Sequence, residues 1–333
     1  SDLYVCDVDS DVAAAAASRV ENATGYRPKV VSDMRVALAD PAVEAVSIAT
    51  PHHWYALATI WALRAGKHVY VEKPLAHTFG EGESIVAAAV KYGKIVQCGT
   101  QLRSNRSLRA AAEYMAAGKL GAVDIVHCIV FKPRPPTSKV PTKLPESVDY
   151  NLWCGPASDA LPTRGNFHYA WHWFWEYGNG ALGNNGVHRI DAARIGLNLK
   201  GLGDVAFSFG GRFGPDDGGE TPNTQVAVHR FGSTWIVQEV RGLPTRAWKG
   251  VSNGIIFYGS EGMIKYEGGS AMLFDSTGKF ISKFGGKQED HYADFLMAIE
   301  SNVRQVAGVV SEGSIIDLAR WQAWQFEEKI ASL

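Results

Sequence analysis

Short apolar runs alternate with longer stretches of helical spacing over the first hundred residues. Residues 3–6 are apolar and end at Asp7-Val8-Asp9. An alanine-rich stretch over about 11–22 follows, with Ser10 and Asp11 as its expected cap and Gly25 as its stop. Residues 29–31 form the next short strand, and Asp33 is placed to cap another helix. Residues 43–49 run into Thr50-Pro51, residues 52–65 have helical spacing, and 69–71 form a buried strand that stops at Glu72-Lys73-Pro74. A helix over about 82–92 and a strand over 94–98, ending at Gly99-Thr100-Gln101, complete the series. Strands separated by helices of this length predict βαβ units and a parallel, doubly wound α/β sheet.

The rhythm changes near Arg106. A helix to residue 117 and a strand over 122–131 lead into a proline-rich stretch, 132–165, that opens with Lys132-Pro133-Arg134-Pro135-Pro136. Connections this long inside a compact domain usually serve as functional arms or lids. Alternating apolar positions at 225–229 and 235–240 predict antiparallel strands, and helices are expected over 289–301 and 314–329. The expected organisation is a Rossmann-like dinucleotide-binding domain over 1–104. A second unit of antiparallel strands and helices follows over 105–333.

Composition narrows the function. The chain has 333 residues and a formal net charge of -1, so it carries no basic field for nucleic acid or anionic lipid. No apolar run is long enough to span a bilayer. The four cysteines show no CxxC spacing and read as buried thiols, neither a disulfide framework nor a metal site. Ten tryptophans suit flat contacts with sugars or with another subunit.

Several residues carry candidate chemistry. Ligands of open parallel sheets bind beyond the carboxyl ends of the strands, so Lys73 at such an end points its ammonium into the crevice, and Pro74 stiffens the turn behind it. An acid at the end of the second strand, here Asp7, hydrogen-bonds the adenosine ribose of NAD and disfavours a 2′-phosphate, which makes NADP the less favoured cofactor. The strand and glycine-rich loop expected about 30 residues earlier are not in the sequence, and an N-terminal piece is expected to precede Ser1. In the aromatic segment 167–175, an extended backbone places Trp171, Trp173 and Trp175 on one face, opposite His172 and Phe174. Stacked indoles suit a sugar ring; a hydrophobic core or a subunit contact is the alternative. A helix over about 180–197 aligns Asn184, His188 and Asp191 in one polar stripe, and Gly183 and Gly186 leave room for a close approach.

Thr50-Pro51, Glu72-Lys73-Pro74 and Gly99-Thr100-Gln101 in this order resemble the Gfo/Idh/MocA oxidoreductases. The stretch Gly-Asn-Gly-Ala-Leu-Gly-Asn-Asn-Gly-Val-His at 178–188 resembles that family's second motif. The similarity covers nearly the whole chain. It implies a Rossmann domain over 1–104, then a substrate-binding and oligomerisation α/β domain with a large, open, mainly antiparallel sheet over 105–333. It also implies NAD(P)-dependent chemistry on sugars and inositols, and a homodimer or homotetramer. It departs at Asn184, where the family usually has Asp, and at Tyr55, near a position where the family tends to have His.

The expected reaction is hydride transfer from a secondary hydroxyl of a sugar, glycoside or polyol to NAD. His188 is expected to take the proton while Lys73, as an ammonium, stabilises the developing alkoxide; the reverse assignment stays open, and Asn184 lies beside them. Asp7, Thr50, Pro51, His53, Glu72, Lys73, Pro74 and Gln101 are assigned to the cofactor. Lys132, Arg134, Trp171, His172, Trp173 and Asp191 are assigned to the substrate, and no metal is expected. Two other readings stand beside this one. An NAD-dependent glycosidase would act by transient oxidation and elimination, and an assembly protein would have no catalytic role. The compartment stays open between the cytoplasm and export in folded form to the periplasm.

Overall fold

The computed structural model describes residues 3–162, 164–201, 203–286 and 289–301. The helix expected over 314–329 lies outside the described residues.

The first hundred residues alternate as read. β1 (Tyr4–Cys6), α1 (Ser10–Thr24), β2 (Lys29–Val31), α2 (Met34–Ala39) and β3 (Ala45–Ile48) come first, followed by α3 (His52–Arg64), β4 (His68–Val71), α4 (Phe79–Tyr92) and β5 (Val96–Cys98). All the pairings are parallel, but the sheet is in two hydrogen-bonded pieces, β1-β2 and β3-β4-β5. The split falls where a doubly wound order places its first strand. α1 is capped by Asp9 rather than Ser10 or Asp11. The Asp9 carboxylate accepts from the Asp11 and Val12 amides, and Gly25 closes the helix in the left-handed region at φ 74°. α4 starts three residues earlier than its apolar pattern indicates, because Thr78 and Glu81 form a reciprocal capping box. Leu63, Val69, Val71, Leu75, Ile85 and Val96 fill the core between β4 and the helices. Cys6 is exposed and the other cysteines are buried, all as free thiols, so the expectation of four buried thiols fails at Cys6. Its Sγ turns to the Ser32 carbonyl at 3.7 Å on the exposed side of β1 instead of into the core.

A turn at Gln101–Ser104 leads into α5 (Arg106–Ala116) and β6 (Val123–Phe131). The proline-rich arm contains only one short helix, α6 (Tyr150–Cys154). It packs back on the first unit. The Ser10 amide donates to the Ser147 carbonyl, the Asp149 amide donates to the Val8 carbonyl, and Trp54 Nε1 donates to the Leu152 and Trp153 carbonyls. Gly155 is required there, since a Cβ would sit 2.0 Å from the Trp54 ring.

The aromatic segment is not extended. Residues Ala170–Trp173 form a 3-10 turn, and Trp171, His172 and Trp173 are all buried. Because the segment is apolar on every side, its spacing does not distinguish a strand from a turn. Trp171 stacks on His172 with ring centroids 3.6 Å apart and meets His52 edge-on, so this part of the segment is core.

The stretch expected as one helix begins as a π-turn, Leu182–Gly186, and continues as α7 (Val187–Gly196). β7 (Val205–Gly211), β8 (Thr224–Phe231), β9 (Thr234–Arg241), β10 (Asn253–Gly259), β11 (Gly262–Glu267), β12 (Ser270–Asp275) and β13 (Phe280–Lys283) precede α8 (His291–Ser301). These strands and β6 form an eight-stranded sheet in the order β13-β12-β11-β10-β6-β9-β8-β7. It is antiparallel except for the parallel pair β6–β9. Leu108 and Ile190 from α5 and α7 pack on Ile236, Ile255, Phe257 and Ile264 of one face. Gly186 allows the close approach expected of it, because a Cβ would come within 2.3 Å of Gln238 on β9.

Candidate functional site

Lys73 leaves the end of β4 and crosses to the second unit. Its Nζ donates to both the backbone oxygen and the Oδ1 of Asn184, each at 2.8 Å. Behind it, Gln101 Nε2 donates to Glu72 Oε1 at 2.7 Å and to the Tyr70 hydroxyl at 3.0 Å, while the Lys73 amide donates to Glu72 Oε2 at 3.2 Å. Glu72 and Gln101 therefore hold each other and the root of Lys73. Gly99 makes this possible, since a Cβ there would meet the Glu72 carboxylate at 2.6 Å.

Burial pushes the Lys73 ammonium down to about 8, opposed by Glu72 and reinforced by Arg134 and Lys132. His188 falls further, to about 3, chiefly through burial and also through the charge of Lys73. Its Nδ1 is buried and has no partner among the described residues. At neutral pH the crevice thus holds a neutral imidazole beside a lysine that loses its proton in a moderately alkaline range.

Several sequence expectations take a different form. Asp191 does not face the crevice with Asn184 and His188. It is 1% exposed and receives Arg103 through Nε–Oδ2 at 2.9 Å and Nη2–Oδ1 at 2.6 Å. The polar stripe divides because Arg103, delivered by the turn after β5, takes the buried carboxylate. His53 turns into the arm, where its Nε2 meets the Trp153 carbonyl at 3.1 Å and its ring packs against Trp153 and Tyr177. Its neighbour His52 lies nearer Lys73, whose charge helps, after burial and His172, to depress it. Asn179 Nδ2 donates to the His77 carbonyl, so its Oδ1 accepts from His52 Nδ1–H at 2.8 Å. This fixes the tautomer and leaves His52 Nε2 as the acceptor.

His172 Nδ1 likewise donates to the Tyr169 carbonyl at 2.7 Å, and burial depresses the ring to about 4. Lys132 is exposed. Sequence reasoning missed Tyr169, whose hydroxyl accepts from Asn184 Nδ2 at 3.2 Å and from Arg134 Nη1 at 2.9 Å. Its position two residues from Trp171 is the only sequence signal for it.

Atoms at the carboxyl ends of the parallel strands suit a dinucleotide. Past the end of β3, Thr50 Oγ1 is buried without a partner among the described residues, and Pro51 precedes α3 beside it. A cavity of about 280 Å³ opens past the ends of β1 and β2, lined by Val8, Ser32, Asp33, Arg35, Trp54 and Leu152. Asp7 precedes it, with Oδ1 accepting from the Asp9 amide at 2.9 Å and burial raising its carboxyl. The orphaned hydroxyl, the acid and the cavity all lie at carboxyl ends of parallel strands, and they fit the group. Among the described residues no cluster of His, Cys, Asp or Glu suits a metal ion, and no helix is long and apolar enough to cross a membrane.

The family model for the NAD-binding Rossmann fold of an oxidoreductase family, GFO_IDH_MocA, matches residues 5–100, and that for its C-terminal α/β domain matches 131–201. Together they span half of the chain. The chain belongs to the Gfo/Idh/MocA oxidoreductases. It is 32% identical over 193 residues to levoglucosan dehydrogenase of Pseudarthrobacter phenanthrenivorans, covering 57% of this chain and 41% of that protein. It is 34% identical over 121 residues to 1,5-anhydro-D-fructose reductase of Ensifer adhaerens, 35% of each chain. The matched stretches thus span less than half the length of these relatives. A solved levoglucosan dehydrogenase, in complex with NADH and levoglucosan, has the same fold. It has a TM-score of 0.73 and 19% identity, over 99% of this chain and 88% of that one. The family, its NAD-binding fold and its two-part architecture agree with the sequence reading.

Proposed function

We propose that the protein oxidises a secondary hydroxyl of a sugar, glycoside or related polyol, with NAD as acceptor. The observation that carries this reading is the bridge from Lys73 Nζ to Asn184 across the crevice, with the unpartnered His188 Nδ1 beside it. NAD, when bound, supplies the hydride acceptor. Asp7 and Thr50 bind it, and Glu72 and Gln101 hold Lys73 at its edge. Lys73 titrates near 8 and His188 near 3, so the better-matched proton acceptor for the substrate hydroxyl is Lys73 as the free amine. Neutral His188 aligns that hydroxyl through Nδ1. From the sequence, His188 is the preferred base; the reading proposed here puts the proton on Lys73 instead.

The rate should therefore rise with pH through about 8 and level off above it. Asn184→Asp should move that midpoint upward by about one unit or more, because a carboxylate beside the ammonium favours the charged form. At pH 7 the variant should turn over roughly tenfold more slowly. A kcat profile across the alkaline range checks this, and an unmoved midpoint refutes the lysine assignment.

A second reading, glycoside cleavage through transient oxidation, is favoured by the arm, whose residues 147–149 close over the end of β1 beside the cofactor acid. Incubation with glycosides and NAD separates the two. A keto-sugar with accumulating NADH supports net oxidation, a free sugar without NADH supports cleavage, and neither product rejects both. The open face of the large sheet, with Phe207 and Phe209 exposed on β7, is the surface this reading assigns to a homodimer or homotetramer.

A further inference from the structure

Beside Lys73, the aromatic turn and the arm build a second polar cluster. Lys73 donates to Asn184 Oδ1, Asn184 Nδ2 donates to the Tyr169 hydroxyl, and Arg134 Nη1 donates to the same hydroxyl, at 2.8, 3.2 and 2.9 Å. Lysine and arginine only donate, so the order of these groups fixes the Asn184 amide without ambiguity. A phenol oxygen that accepts twice has both lone pairs engaged, and its own hydrogen is left for a third group. No described residue receives it.

The Arg134 guanidinium lies over the Tyr169 and Trp173 rings, 5.6 and 5.2 Å from their centroids. It borders a cavity of about 170 Å³ walled by Pro135, Pro136, Trp173, Arg212, Asp217 and Leu243. The carboxylate in that wall is already committed. Asp217 takes Arg212 at 2.5 and 2.6 Å and the amides of Thr137 and Gly219 at 2.9 and 3.1 Å. Arg134 has no carboxylate partner among the described residues, and Lys132 and Lys73 add positive charge on the same side.

The geometry points to a carboxylate-bearing substrate, a uronic acid or uronoside, whose acid group Arg134 receives in this cavity while Tyr169 donates its hydroxyl hydrogen to the same molecule. This rests on the reading of the crevice as a carbohydrate oxidoreductase site. A guanidinium presents a planar fork that matches a carboxylate in both shape and charge. A neutral hydroxymethyl group leaves the cation uncompensated.

The test uses the full chain and matched probes, methyl β-D-glucuronide against methyl β-D-glucoside and the corresponding galacto pair, with binding followed by calorimetry at low and high salt. At least one uronide should bind about tenfold to a hundredfold more tightly than its neutral partner. Its affinity should fall with salt, and Arg134→Gln should bring the ratio close to one. Equal affinities in wild type, no measurable uronide binding, or an equal loss for both members of a pair in Arg134→Gln overturns the inference. Uronide binding without NADH formation leaves this subsite standing and removes the oxidoreductase reading. Turnover without acid preference does the reverse.

Discussion

Replacing Lys73 by methionine should lower kcat by about 10³-fold or more while the protein keeps its fold. Methionine retains most of the apolar stem and deletes the amine whose pKa burial lowers to about 8. The strand below it is buried whichever side chain follows, since Val69, Tyr70 and Val71 are at most 1% exposed. Removing a desolvated ammonium also removes a cost of folding, so thermal stability should be unchanged or slightly higher. Freed of that charge, His188 should titrate upward from about 3. Paired measurements of kcat and of the melting curve decide the matter. A variant within a few-fold of wild type takes Lys73 out of the chemistry, and an unfolded one would mean that the bridge to Asn184 is structural.

The second large effect is on stability. Arg103→Ala leaves the Asp191 carboxylate buried without its cation and should destabilise the protein by about 3–5 kcal/mol. The double replacement Arg103→Met with Asp191→Leu should recover much of that loss, because the uncompensated charge is then gone as well. Urea unfolding of the two single variants and the double one measures the coupling. Additive losses would show that the pair does not act as a unit. Since Asp191 lies one turn beyond His188 on α7, a weakened pair should also raise KM in the single variants.

These two predictions separate what the sequence made legible from what it did not. The alternation of apolar runs and helices is local, and it located every strand from β1 to β5, although only β4 and β5 are largely buried. Lys73 was legible for the same reason, as a charge at the end of such a run. The Arg103–Asp191 pair was not, because its members are 88 positions apart and each has ordinary neighbours. His52 and His53 look alike as letters. Only the rotation of about 100° between successive helical residues sends one toward Lys73 and the other into the arm. The aromatic segment misled because a run that is apolar on every side carries no period. Tyr169 escaped notice because its importance lies in two donors brought from distant segments, Asn184 and Arg134.

Asp9 performs several tasks at once. It caps α1, its own segment bridges the arm at Val148, and its Oδ2 lies 3.0 Å from His168 Nε2. A helix of the cofactor-side unit therefore begins on a residue fastened to two segments of the other unit. On heating, the two units should melt together in a single calorimetric peak, whereas Asp9→Ala should broaden that peak or split it in two.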